Sequence, residues 1–105
     1  MKENLNLSLI QSHIFWEDVD KNLSYFERLI SKISQTDIIL LPEMFNTAFC
    51  PQSNHLSEKM DGKTINWMQE ISKQKNCAIA GTLMITKNEK ELKKQLTWLE
   101  YLNGV

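Results

Sequence analysis

The chain of 105 residues carries 12 basic and 13 acidic side chains, for a formal net charge of -1. That length allows one domain, and so even a charge lacks the basic footprint of a nucleic-acid binder. No apolar run approaches the ~20 residues of a membrane span, and the opening Met1-Lys2-Glu3-Asn4-Leu5-Asn6 is too polar and acidic for a secretory signal; a small cytoplasmic globular unit is expected.

Leu5-Asn6-Leu7-Ser8-Leu9-Ile10-Gln11 alternates apolar and polar residues, the period of a strand. Asp18 or Asp20 can cap a following helix. Val19, Leu23, Phe26, Ile30 and Ile33 recur at steps of four and three, which puts them on one helical stripe. After the polar link Ser34-Gln35-Thr36-Asp37 comes Ile38-Ile39-Leu40-Leu41, closed by Pro42. A run apolar on both faces suits a parallel strand covered on both sides. Strand, helix and buried strand together make a βαβ unit.

Residues 44–62 show no period and read as a long loop, a kind of segment that usually serves function. Thr64 is placed to cap a second helix, with Ile65, Met68 and Ile71 inward and Lys73 and Lys75 outward. Residues 77–85 form a third strand, where Gly81 marks a close approach to the backbone. Lys87, Glu89, Lys90, Glu91, Lys93 and Lys94 make the next stretch solvated. In the tail, Leu92, Leu96 and Leu99 have helical spacing, whereas Thr97, Trp98 and Tyr101 favour a further strand, with Asn103-Gly104 as a turn.

Glu43 is the best candidate for chemistry. It follows Pro42 at the carboxyl end of a buried strand, the edge where open α/β sheets bind ligands. Apolar surroundings there would raise its pKa and suit it to proton transfer. Position by itself favours an ordinary loop carboxylate over a catalytic one. The soft metal ligands, His13, Cys50, His55 and Cys77, have no zinc-site spacing, so no metal site is expected. Cys77 reads as a small core residue and Cys50 as a loop thiol without a neighbouring base. Phe15 and Trp16 read as core or as a hydrophobic staple before the helix; Trp67 reads as packing. The three glycines, at 62, 81 and 104, form no phosphate-binding fingerprint, and no cofactor is implied.

Ile39-Leu40-Leu41-Pro42-Glu43-Met44-Phe45-Asn46-Thr47-Ala48-Phe49 resembles the glutamate motif of the nitrilase superfamily of carbon-nitrogen hydrolases, and is similar to its omega-amidase branch. Leu9-Ile10-Gln11, Trp16-Glu17-Asp18 ahead of Asn22-Leu23, Gly62 before Ile65-Asn66-Trp67-Met68, and Ala78-Ile79-Ala80-Gly81-Thr82 resemble the family in order. The likeness is strong over residues 5–86 and weak over 87–105. It implies an α/β chain forming the N-terminal part of an α-β-β-α sandwich, in the order strand-helix-strand-helix-strand with the tail a further strand. It implies a hydrolase of linear amides of the 2-oxoglutaramate type, acting through a cysteine thioester with a glutamate base and a lysine at the oxyanion. Only the glutamate carries over, onto Glu43; Phe45 and Phe49 are substrate-pocket candidates by the same resemblance. Ala48 stands where many members have glycine.

The resemblance therefore implies a truncated hydrolase domain over residues 1–105, inactive alone, whose full-length relatives take a small amide and generally associate into homo-oligomers. A sandwich cut partway leaves apolar sheet surface uncovered, so poor solubility is expected. The alternative from another class is a non-catalytic α/β module that binds a partner or small ligand.

Overall fold

The computed structural model describes residues 4–49, 54–86 and 95–101. Strands β1 (Leu7–Leu9), β2 (Ile38–Leu40), β3 (Ala78–Ile85) and β4 (Gln95–Tyr101) form one sheet in sequence order. The first three are parallel, and β4 returns antiparallel to β3. The helices α1 (Val19–Ser31) and α2 (Lys63–Lys75) make the two crossovers, so each parallel pair is separated by a helical connection, as parallel pairing requires. The expected order and the strand in the tail are both present; the helical spacing of Leu92, Leu96 and Leu99 does not decide the tail, since 95–101 is extended and paired along its whole length.

Both helices lie against one side of the sheet. Leu23, Phe26 and Ile30 of α1 and Ile65, Met68 and Ile71 of α2 join Ile39, Ile79, Leu83 and Ile85 in a single core, with Val19 and Ile33 packed at its margin. The predicted α1 stripe thus faces the sheet. Asp18 is its N-cap and accepts a hydrogen bond from Lys21 N at 3.1 Å. At the far end of α2 the chain turns at Asn76, whose φ of 49° is the left-handed conformation that asparagine tolerates.

Three sequence expectations need correction. Lys75 is half-buried rather than exposed, because its ammonium donates to the Ile33 carbonyl at 2.6 Å, beside the end of α1. Trp16 is 59% exposed and forms no part of the core; Phe15 is half-buried, edge-on to His13 and Tyr25. The third concerns the sheet. On β1 it is Ser8 that points toward the loops of the covered side, sharing a hydrogen bond with Thr36, while Leu7 and Leu9, with Leu5 before them, stand 53–68% exposed. Ile38 and Leu40 on the same open side are only half-buried. Among the described residues, one layer of helices covers the sheet, not two. Period two told that β1 is a strand, but not which set of side chains faces the helices.

No helix among the described residues is long and apolar enough to cross a membrane. The stretch 87–94, the turn at Asn103-Gly104, and Cys50 lie outside the described residues.

Candidate active site

Glu43 stands where the sequence put it, just past the carboxyl end of β2. Its backbone is more constrained than its exposed side chain suggests. Leu41 N still pairs with the Ala80 carbonyl at 2.9 Å, continuing the β2–β3 ladder past the strand. The chain then enters one tight turn: Thr47 N and Ala48 N both donate to the Met44 carbonyl, at 3.2 and 2.9 Å. Met44 and Ala48 adopt left-handed φ values of 52° and 67°. Two such residues within five positions store strain that the surrounding contacts must hold.

Those contacts grip β3 from both faces. On the helix side, Phe45 is wholly buried, with its ring 6.1 Å from Phe26 and 6.0 Å from Trp67. It lies so close to Gly81 that a Cβ there would meet the ring at 2.8 Å. The close approach predicted at Gly81 is therefore the Phe45 ring. On the other side, Met44 packs on Met84 and Leu56, and Met44 N donates to Thr82 Oγ1 at 2.9 Å. Alternation along β3 thus supplies a glycine for one neighbour of Glu43 and a hydroxyl for the other.

The far half of the turn is held by buried amides. Asn22, wholly buried on α1, donates to the Asn46 carbonyl at 2.9 Å. It also exchanges two hydrogen bonds with the Phe15 backbone, at 2.7 and 2.8 Å. Glu17, itself at φ 53°, donates its N–H to the Thr47 carbonyl at 2.9 Å. Two loops that follow parallel strands, 10–17 and 41–49, are thereby tied together at one edge of the sheet.

Glu58 went unnoticed in the sequence. Thr64 was expected to cap α2, but the helix starts at Lys63 with Gly62 as its cap residue, and Thr64 is buried inside the first turn. The capping oxygen comes from Glu58, whose carboxylate accepts from Thr64 N at 2.7 Å and from Thr64 Oγ1 at 2.5 Å. A carboxylate six residues upstream falls outside the usual cap spacing; the only available signal was a negative charge ahead of a helix N-terminus.

This arrangement, a carboxylate after the middle strand of a parallel βαβαβ unit on a strained and heavily braced turn, agrees with a comparison that decides the family. Residues 6–100 match the carbon-nitrogen hydrolase family. The chain belongs to it.

Other carbon-nitrogen hydrolases give the same picture. The omega-amidase YafV of Escherichia coli K12 is 35% identical over 81 residues, and that of Yersinia enterocolitica 35% over 83 residues. In each case the match covers 77% of this chain and 31% of the relative. A solved carbon-nitrogen hydrolase superfamily protein of Xanthomonas campestris, described with an arsenic adduct in its active site, superposes with a TM-score of 0.81 at 28% identity. That match covers 92% of this chain and 37% of the solved one. The chain thus spans about a third of the length of the carbon-nitrogen hydrolases it matches, and the α/β fold is the nitrilase-like one.

The side chain of Glu43 is exposed, so the apolar surroundings expected around it are not formed by the described residues. Phe49 is 57% exposed, whereas Phe45 sits in the core beneath the turn. Cys77 is buried just before β3, whose first residue Ala78 pairs with Ile38, and hence at the end of the sheet opposite Glu43. Burial pushes its thiol up from the ordinary value, with Lys75 partly offsetting this; a protonated thiol in that place is a core residue. Among the described residues, no three His, Cys, Asp or Glu side chains gather as metal ligands. A groove of about 340 Å³ between α1 and α2 is lined by Asp20, Leu23, Ser24, Glu27, Lys63 and Trp67. It does not include Glu43. The Asp20–Lys63 ion pair across it is largely exposed and contributes little.

Ala48 keeps a left-handed φ, the conformation that favours glycine. Ala48→Gly should remove the Cβ penalty of that conformation at some cost in unfolded-chain entropy, for a net gain of about 0.5–1 kcal/mol. Thermal unfolding followed by circular dichroism should show a midpoint higher by about 2–8 °C. An unchanged or lower midpoint would mean that the Cβ makes contacts worth more than the strain.

Proposed function

We propose that this chain is the N-terminal part of an omega-amidase-like hydrolase. Its substrate is a linear amide of the 2-oxoglutaramate type, split to the acid and ammonia through a cysteine thioester, and Glu43 is the general base. The observation that supports this reading best is the placement of Glu43. It follows the middle parallel strand directly, with Met44 and Phe45 locked to opposite faces of β3, so that the carboxylate projects from a backbone with little freedom.

The chemistry needs two more groups. A thiolate must attack the amide carbonyl, and a cation must hold the developing oxyanion. In this scheme Glu43 takes the thiol proton, delivers a proton to the departing ammonia, and then activates the water that hydrolyses the thioester. Neither cysteine stands in the nucleophile's place of the family pattern, and no lysine of the chain has the context of the oxyanion group. Phe49, exposed beside the turn, is the pocket wall in this proposal, and Phe45 supports the turn from below.

Two measurements test it. The purified 105-residue chain, incubated with 2-oxoglutaramate, should release no ammonia above the uncatalysed rate, and turnover would overturn the assignment of roles. Residues 6–100 grafted in place of the matching segment of the Escherichia coli omega-amidase should give an active chimera. Glu43→Gln in that chimera should lower kcat/KM by about 10²–10⁴-fold, the usual contribution of a positioned base. A folded chimera indifferent to Glu43→Gln would remove the residue from the mechanism.

A further inference from the structure

We infer that Glu58 is a positioning residue for the turn that carries Glu43, acting through Thr64 and Asn46. The inference rests on the reading of Glu43 as the base, and concerns what holds its backbone in place.

Glu58 is fixed before its side chain makes any contact. It bridges to β3 by its own backbone, donating to the Met84 carbonyl at 3.1 Å and accepting from Thr86 N at 2.8 Å. Its carboxylate then reaches the start of α2. One oxygen takes Thr64 N at 2.7 Å; the other takes the Thr64 hydroxyl at 2.5 Å and lies 3.4 Å from Asn46 Nδ2. The Thr64 hydroxyl in turn accepts from Asn46 Nδ2 at 3.1 Å. A carboxylate only accepts, so the direction of the whole chain is set by its charge: amide to hydroxyl to carboxylate. Asn46 and Thr64 are 1% and 0% exposed, where water cannot replace a lost partner.

Space is reserved for this carboxylate. A Cβ on residue 62 would lie 2.8 Å from Glu58 Oε1 and 2.9 Å from the Lys59 carbonyl, so only glycine admits it. On the other side of Asn46, its backbone carbonyl accepts from Asn22. The turn is therefore held between α1 through Asn22 and β3 through Glu58, with Glu43 three residues from the shared member. A cap for α2 needs only the bond to Thr64 N. The hydroxyl and amide links go further, connecting that carboxylate to Asn46 in the turn.

Amide hydrogen exchange of the 15N-labelled chain separates the two roles. Thr64→Val keeps the shape and the capped N–H but removes the hydroxyl that relays Asn46 to Glu58, leaving only the long direct contact. It should speed exchange at Met44 and Ala48 by about tenfold relative to Phe26 in α1, the usual scale for one lost buried hydrogen bond, and leave the first turn of α2 unchanged. Glu58→Gln should do the same, since its amide faces the Asn46 amide donor to donor. Glu58→Gln with Asn46→Asp reverses the polarity of the pair and should restore the Met44 and Ala48 rates to within about threefold of the parent. Uniform acceleration across turn and α1 would show general stabilisation instead and overturn the inference. A turn that keeps its protection while only the start of α2 loosens would reduce Glu58 to a helix cap. Failure of the double variant to restore the turn would also count against it. None of these rates depends on whether Glu43 moves a proton, which the chimera tests separately.

Discussion

Phe45→Ala should destabilise the chain by about 3–5 kcal/mol, the usual range for a buried phenylalanine. The ring is wholly buried among Phe26, Trp67 and Gly81, and nothing small can refill that space without moving α1 or α2. Small domains have about 5–15 kcal/mol in all, so this one side chain should remove a large share of the stability. Urea titration should show the midpoint fall with the slope kept. The partner change is Gly81→Ala, which drives a methyl group into the same ring and should cost about 1–3 kcal/mol. Joined with Phe45→Leu, which withdraws the ring, Gly81→Ala should cost less than it does alone. Additive losses would show that the contact between ring and glycine is not what fixes the turn.

Asn22→Leu should cost about 2–4 kcal/mol although the new side chain is apolar and similar in size. Asn22 satisfies the Phe15 N–H, the Phe15 carbonyl and the Asn46 carbonyl. A leucine leaves all three without that partner, at about 1–3 kcal/mol for each group that water cannot reach. Phe15 is half-buried and can regain water; Asn46 cannot. Urea titration should place the loss in that range. A variant as stable as the parent would mean that the loop 10–17 rearranges to pair its own backbone. Asn22 would then be a passive filler of α1 and not the tie between two loops.

The helices were legible because each has one apolar stripe. Val19, Leu23, Phe26, Ile30 and Ile33 needed only the period of a helix to be placed, and all five meet the sheet or its margin. Glu43 was legible from Pro42 and the apolar run before it. Gly81 announced a close neighbour, but not that Phe45 would be that neighbour. Glu58 was illegible because its partners, Thr64 and Asn46, lie six and twelve residues away, at separations no local pattern records. The orientation of β1 was hidden for a related reason. Leucines at 7 and 9 look like core, yet the helices lie on the side of Ser8.

The sequence by itself determined the βαβαβ order, the two amphipathic helices, the family and the place of Glu43 at a strand end, since each rests on local periodicity or on a contiguous motif. Only the tertiary structure decided which sheet face is covered, that Phe45 lies beneath the turn while Phe49 stays exposed, and that Asn22, Asn46, Thr64 and Glu58 brace the backbone around Glu43. Those features depend on contacts between residues far apart in the chain. Burial and hydrogen-bond direction set them, and neither is written in the spacing of residues along the sequence.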